Sequence, residues 1–180
     1  MRPPGVPFMR KLLLLRHAKA VPAESAPDDF ERGLNARGKA AAQAVARHFA
    51  DTKLQPDLVL CSSSLRTRET LAELLPAMPQ DCGIAVENGL YMASAPRLLE
   101  RLRNAPDNIV CQLLIGHNPG LERLARLLAG SGPEAKMAAM RGKFPTAALA
   151  ILEFAGENWR AIDKDGCRLV DFVCPRDLED

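Results

Sequence analysis

The sequence predicts a single-domain α/β protein in which three layers, α/β/α, are built around a mostly parallel central sheet closed by antiparallel strands. Over the first two-thirds of the chain, short apolar runs typical of strands buried on both faces alternate with helical patterns. The last third has apolar segments separated by glycines, which indicates hairpin-like closing strands. A length of 180 residues suits one domain. We place that domain at 9–180, after a disordered lead-in at 1–8 that holds three prolines.

The first predicted element is a strand made of four leucines, 12–15, which run directly into Arg16 and His17. An apolar core does not hold arginine and histidine without partners, so the chain is expected to leave the sheet at Arg16. Both side chains then stand at the carboxyl end of the strand, where open α/β sheets bind their ligands. Residues 20–34 are predicted to form a long loop, after which Asn35 caps a helix.

The next two strands and helices follow the same alternation. A strand at 57–61 ends in three serines, and Ser63 or Ser64 caps a helix that has Arg66 in its first turn. A cation at that position opposes the helix dipole unless an anion lies nearby. A short strand at 84–86 and a helix that begins after Ser94 complete this part of the chain.

A fourth strand, 108–115, leads into His117. Asn118 is predicted to cap the following helix, with Pro119 as its first residue. Residues 130–146 are predicted to be a second long loop. Closing strands are predicted at 147–154, 159–163 and 168–173.

Parallel strands bring their carboxyl ends to one edge of a sheet, so Arg16, His17, Arg66 and His117 are predicted to converge there. Guanidinium groups bind phosphoryl oxygens with fork geometry and stabilise charge in the transition state. One neutral imidazole can attack phosphorus and carry the phosphoryl group, and the second, if protonated, adds a donor to the same oxygens. Three further residues are predicted to contribute to substrate binding: Lys19, Ser62 and Asn118.

Composition argues against several other classes of protein. The net charge of +2 balances 24 cations against 22 acids, and the eight aromatic residues are too few and too scattered for a base-stacking surface, so no nucleic-acid partner is expected. Five cysteines without a C-x-x-C spacing suggest neither a disulfide framework nor a zinc site, which favours a reducing, cytoplasmic setting. No segment is long enough to span a membrane. No metal or cofactor is expected.

Three segments resemble motifs of the histidine phosphatase superfamily, and the resemblance covers nearly the whole chain. LLLLRHAKA is similar to the Arg-His-Gly (RHG) motif of the nucleophile, CSSSLRTRET to the second-arginine motif, and IGHNPGLERLA to the second-histidine motif. The chain looks most like the short SixA-type phosphohistidine phosphatases. This resemblance implies a phosphoglycerate mutase-like fold, with His17 phosphorylated beside Arg16 and with Arg66 and His117 binding phosphate. It also implies a metal-independent hydrolase that acts in signal transduction on a histidine-phosphorylated protein.

One departure from the larger relatives separates the remaining hypotheses. Mutases and many small-molecule phosphatases of the superfamily add a carboxylic acid as proton donor, whereas the corresponding region here, GLYMASAPRLL, has Tyr91 and no carboxylate. Asp28, Asp29 or Glu31 in the long loop could still swing in. A small-molecule phosphomonoesterase or mutase is therefore the alternative among enzymes, and a non-catalytic phosphate-binding module is the alternative of another class. Turnover of a phosphoramidate separates an enzyme from a binding module.

Overall fold

The computed structural model describes residues 8–178, so the predicted lead-in lies outside the described residues except for Phe8, whose carbonyl oxygen accepts a hydrogen bond from the Gly156 N–H. Among the described residues there are seven strands and five α-helices. The strands are β1 (Met9–Arg16), β2 (Leu58–Ser62), β3 (Gly83–Glu87), β4 (Cys111–Gly116), β5 (Ala129–Ser131), β6 (Leu149–Ala155) and β7 (Cys167–Val173). The helices are α1 (Ala36–Thr52), α2 (Leu65–Leu74), α3 (Ala95–Arg103), α4 (Gly120–Leu128) and α5 (Glu134–Gly142).

One sheet contains all seven strands in the order β3-β2-β4-β1-β6-β7-β5. Strands β3, β2, β4 and β1 run parallel to one another, and β6 lies antiparallel between β1 and β7. The register places the carboxyl ends of β1, β2 and β4 side by side: Arg16 is opposite Gly116, and Cys61 is opposite Ile115. This arrangement confirms the predicted α/β fold with a mostly parallel sheet and antiparallel closing strands.

The central strand β1 divides the core into two halves because its four leucines are fully buried on alternating faces. Leu13 and Leu15 pack with the apolar faces of α1 and α2, whereas Leu12 and Leu14 pack with α3, α4 and α5. Cys61 and Cys111 belong to this core, where burial raises the pKa of each thiol to about 12. Among residues 8–178, no helix combines the length and apolar character needed to cross a membrane.

Two predictions for the last third of the chain were wrong. Residues 130–146 do not form one long loop, because they contain most of β5 and all of α5, whose Met137 and Met140 are buried in the core. The predicted strand at 159–163 is a 3-10 turn, Trp159–Ala161. Trp159 is fully buried there, and its indole N–H donates to the Ile109 carbonyl oxygen at 2.8 Å. The segment is apolar because this side chain packs in the core, and not because the segment is a strand.

The start of α4 also differs from the prediction. Asn118 is not the N-cap: the Asn118–Pro119 peptide bond is cis, Pro119 is the N-cap and the helix begins at Gly120. A Cβ at Gly120 would lie 1.9 Å from the Ala93 carbonyl oxygen, so this turn packs against backbone as only glycine allows. The Asn118 side chain is directed instead to the Phe144 carbonyl oxygen and to Glu122, both at 3.0 Å.

Candidate active site

Two histidines meet at the carboxyl ends of β1 and β4. The ring centroids of His17 and His117 are 5.1 Å apart, with the ring planes at 52°. His17 is held directly after β1 by a hydrogen bond from its N–H to the Gly116 carbonyl oxygen at 3.1 Å. Arg66, in the first turn of α2, is 3% exposed and its charge acts on both rings. The structure therefore brings together all four residues that the sequence placed at this edge.

The imidazole of His17 has one free nitrogen. Its Nδ1 lies 2.8 Å from the Ala18 carbonyl oxygen, and since a carbonyl oxygen can only accept, Nδ1 carries the proton of the neutral ring. Nε2 then has the lone pair, and it makes no hydrogen bond within residues 8–178. Burial lowers the pKa of His17 to about 3, and the neighbouring charges of His117 and Arg66 act in the same direction. At neutral pH this ring is therefore neutral and its Nε2 is unprotonated.

His117 is held by serine hydroxyls at the end of β2. Its Nε2 is 2.7 Å from the Ser62 Oγ and 3.5 Å from the Ser64 Oγ. Its Nδ1 is buried and has no partner among the described residues. Burial and the charge of Arg66 lower the pKa of His117 to about 4, so the ring is neutral, not cationic, at neutral pH before a ligand binds. A hydroxyl that donates to Nε2 leaves Nδ1–H as the donor for a ligand.

The two arginines differ in what they contact. Arg16 donates from Nη1 to the Phe144 carbonyl oxygen at 3.0 Å, and its buried Nε has no partner within residues 8–178. Arg66 is engaged by Asp29, whose Oδ2 lies 2.8 Å from Nη2 and whose carbonyl oxygen accepts from Nη1. The anion expected beside the first turn of α2 is therefore supplied by the loop at 20–34.

Tyr91 also contributes to this side of the site, which the sequence did not predict. In the sequence, Tyr91 stands out only as part of the segment that lacks a carboxylate. Its hydroxyl donates to the Asp29 Oδ2 at 2.7 Å, and its ring lies edge-on to His117 with centroids 5.4 Å apart. The hydrogen bond from Tyr91, followed by the contact with Arg66, lowers the pKa of Asp29 below its ordinary value of 3.8. Asp29 is consequently an ionised carboxylate at neutral pH.

Thr70 is a second contributor without a sequence signal, because a threonine inside a helix is ordinary. Its Oγ1 accepts from the Ala18 N–H at 3.0 Å and donates to the Arg66 carbonyl oxygen at 2.7 Å. One buried hydroxyl thus ties the segment after His17 to the helix that carries Arg66. This bridge sets the positions of His17 and Arg66 relative to each other.

The three additional predicted binding residues have different positions. Ser62 contacts His117 as described above. Asn118 shares the Phe144 carbonyl oxygen with Arg16, and its Oδ1 is buried without a partner among the described residues. Lys19 is exposed and lines a neighbouring groove. In the described part of the chain, no three histidine, cysteine or acidic side chains gather to hold a metal ion.

The chain is similar to known proteins over most of its length. Residues 12–90 match the model of the Histidine phosphatase superfamily (branch 1). Uncharacterized protein Rv1276c of Mycobacterium tuberculosis is 32% identical over 164 residues, which cover 90% of this chain and 100% of that protein. The structure of a candidate phosphohistidine phosphatase SixA from Agrobacterium tumefaciens is 32% identical with a TM-score of 0.78, over 92% of this chain and 98% of that one. A candidate SixA from Nakamurella multipartitia gives a TM-score of 0.81 at 26% identity, over 94% and 99% of the two chains.

Proposed function

This chain belongs to the histidine phosphatase superfamily, within its SixA-type branch, and from that premise we propose that it removes phosphate from phosphohistidine in a protein through a covalent intermediate on His17. The observation that carries the catalytic part of the proposal is the free Nε2 of a neutral, buried His17 beside Arg16 and Arg66. A non-catalytic phosphate-binding module would need the cations but not this nucleophile.

The reaction has two steps. In the first, the His17 Nε2 attacks phosphorus, the bond from phosphorus to the substrate imidazole breaks, and the phosphoryl group is carried on His17. In the second, water attacks that phosphorus, the phosphorus–nitrogen bond to His17 breaks, and phosphate leaves while Nε2 regains its lone pair. In this proposal Arg16, Arg66 and the Nδ1–H of His117 donate to the phosphoryl oxygens and stabilise their negative charge in both steps.

The state of Asp29 favours phosphohistidine over alkyl phosphates as the substrate. An alkyl phosphate expels an alkoxide, which needs a proton donor in the transition state. A phosphohistidine can take its proton on the far ring nitrogen from solvent and then leaves as a neutral imidazole. Asp29 is the acid that the long loop brings to the site, and its contacts with Tyr91 and Arg66 keep it ionised. Glu122, near Arg16, is already engaged by Asn118 and Arg126.

A substrate panel tests the proposal: a histidine-phosphorylated protein, a phosphoramidate, an aryl phosphate, a sugar phosphate and a phosphoglycerate. We expect turnover of the first two, some turnover of the aryl phosphate and almost none of the last two. His17→Ala should abolish turnover with the fold retained, since only binding and electrostatic effects remain without the nucleophile. Full activity of that variant, or efficient hydrolysis of an alkyl phosphate that is lost when Asp28, Asp29 and Glu31 are changed to their amides, would overturn the proposal.

A further inference from the structure

A groove of about 700 Å³ lies beside the active site and is lined by cations. Its floor is the small-residue face of α1, including Ala40, Ala41 and Ala44, and its far wall is formed by residues near the end of α5 and after β7. Its basic side chains come from four parts of the chain: Lys19, Arg37, Arg47, Lys143 and Arg176. No aspartate or glutamate is among the lining residues that the structure describes.

Among the described residues, four of the five cations of this groove have no acidic partner, whereas several arginines elsewhere on the surface have one. Arg97, Arg101 and Arg126 each pair with a nearby glutamate. By contrast, within residues 8–178 the side chains of Lys19, Arg37, Arg47 and Lys143 take part in no hydrogen bond or ion pair. Arg176 meets only its chain neighbour Asp177, at 3.7 Å, and its side chain is 81% exposed.

Such an arrangement is unfavourable for the free protein. Like charges that share one concave surface repel each other, and Arg37 also stands in the first turn of α1, where a cation opposes the helix dipole. An anionic partner that enters the groove offsets both the repulsion between the cations and the unfavourable position of Arg37 at the helix dipole. The groove is therefore complementary in charge to an acidic ligand.

The length of the groove indicates a protein segment and not a single small anion. Arg37 and Arg47 are ten residues apart on one helix, a separation of about 15 Å at 1.5 Å per residue. A small phosphate-sized anion cannot contact both. A segment of another protein with acidic side chains spaced along it can.

Two lining residues, Lys19 and Thr146, place one end of the groove near the nucleophile. Lys19 is two residues beyond His17, and its backbone lies against α1 because Gly38 has no Cβ: one there would be 2.1 Å from the Lys19 carbonyl oxygen. On the other side, Thr146 lines the groove and precedes Ala147, whose N–H donates to the His17 carbonyl oxygen at 3.1 Å. A protein that presents a phosphorylated side chain to His17 would lay its adjoining surface here.

We infer that this groove binds an acidic segment of the phosphorylated protein substrate, so that the enzyme recognises its partner by charge outside the phosphoryl site. The inference rests on the proposed function and adds the chemical class of the partner. It separates the two kinds of substrate: a phosphoramidate reaches His17 without the groove, whereas a phosphoprotein uses it.

The test compares Arg37→Glu/Arg47→Glu with the control Lys39→Glu/Arg123→Glu, which makes the same change of net charge at exposed cations of α1 and α4 outside the groove. kcat/KM is measured for a histidine-phosphorylated protein with an acidic surface and for phosphoramidate. The groove variant should lose at least tenfold on the protein, mainly through KM, and stay within twofold of wild type on phosphoramidate. The control should stay within twofold on both. With the wild-type enzyme, poly-glutamate should inhibit turnover of the phosphorylated protein but not turnover of phosphoramidate.

Other results would overturn the inference. An equal loss on both substrates would mean damage to the catalytic site, an equal loss in the control would mean a general effect of net charge, and no loss would mean that the groove is not used. An oligonucleotide that competes as well as poly-glutamate would assign the groove to polyanions in general. Arg37→Gln/Arg47→Gln, which removes charge without adding acid, covers the case in which the glutamate variant fails to fold and should lose at least threefold on the protein. A wild type that turns over neither substrate would refute the proposed function, and the inference with it.

Discussion

The central strand buries or half-buries an arginine at each end, and the two arginines have different surroundings. At the amino end, Arg10 is 1% exposed and donates to four backbone carbonyl oxygens, those of Asp107, Ile109, Gly156 and Glu157. At the carboxyl end, Arg16 donates to the Phe144 carbonyl oxygen, and its buried Nε has no partner among residues 8–178.

The difference separates a cation that is engaged by the fold from one that, under the proposed function, is available to a ligand. The carbonyl oxygens around Arg10 come from two separate loops, and the guanidinium joins them at the edge of the core. At the carboxyl end, the Arg16 Nε and the His117 Nδ1 are both buried and without partners in the described part of the chain. Buried donors without acceptors cost stability, and a phosphoryl group would satisfy several of them together.

The largest effect should come from making the same change at both ends of the strand. Arg10→Met should lower the free energy of unfolding by about 3 kcal/mol, because it removes the buried guanidinium that donates to four backbone carbonyl oxygens, and should leave the specific activity of the folded fraction unchanged. Arg16→Met should lower kcat/KM for phosphoramidate by about a hundredfold and change stability little. Urea unfolding and steady-state kinetics on both variants measure this. An Arg16→Met protein that is as unstable as Arg10→Met but fully active would reverse the assignment.

An intermediate effect should appear in the pH dependence of stability. The pKa values of His17 and His117, about 3 and about 4, lie below the value near 6.5 of an unfolded histidine. The unfolded chain therefore binds protons that the folded site does not, and the free energy of unfolding should fall as the pH drops from about 6.5 toward 4. Asp29 acts in the same direction only below its ordinary pKa of 3.8, so measurements between pH 7 and 4.5 isolate the histidines.

Two variants sharpen this measurement, one at the carboxyl end of β4 and one at the amino end of β1. His117→Gln should give a flatter curve than wild type, since one of the two depressed histidines is gone. Arg10→Met should be displaced to lower stability with an unchanged slope. A His117→Gln curve parallel to that of wild type would mean that this imidazole titrates normally in the folded protein.

The smallest effect concerns Arg66, whose acceptor is a half-exposed carboxylate and not a set of backbone carbonyl oxygens. Asp29→Asn should strengthen inhibition by inorganic phosphate about threefold, because phosphate no longer competes with a carboxylate for the guanidinium, and such exposed pairs contribute about 1 kcal/mol or less. Turnover of phosphoramidate should stay within twofold of wild type. Asp28→Asn, at an exposed turn, is the control. A tenfold loss of turnover in Asp29→Asn alone would identify Asp29 as a proton donor.

The sequence predicted the parts of the site that depend on strand ends. Because four buried leucines are followed by Arg16 and His17, the chain has to leave the sheet at Arg16. Parallel pairing then aligns this strand end with the ends of β2 and β4. It did not predict the contacts made by Asp29, Tyr91 and Thr70, because each depends on how a loop or helix folds back over the sheet edge.

The errors have a similar origin. Local sequence rules favour Asn118 as the helix cap, but Gly120 packs closely against the Ala93 carbonyl oxygen and the helix starts later. The Asn118 side chain instead donates to the Phe144 carbonyl oxygen. Trp159 has strand-like neighbours in the sequence, yet its indole fills the core under β6, against Phe154. In both cases a tertiary contact overrides the local pattern.

The peptide unit of Phe144 has a consequence for how this protein can change in evolution. Its carbonyl oxygen holds Arg16 and Asn118, its ring is buried against Phe172, and the preceding residue, Lys143, forms part of the basic groove. A mutation that reshapes this wall to suit a new partner also moves the atom that orients Arg16. Adaptation to a different partner is therefore least costly on the opposite wall, along α1, where side chains can vary without touching Arg16.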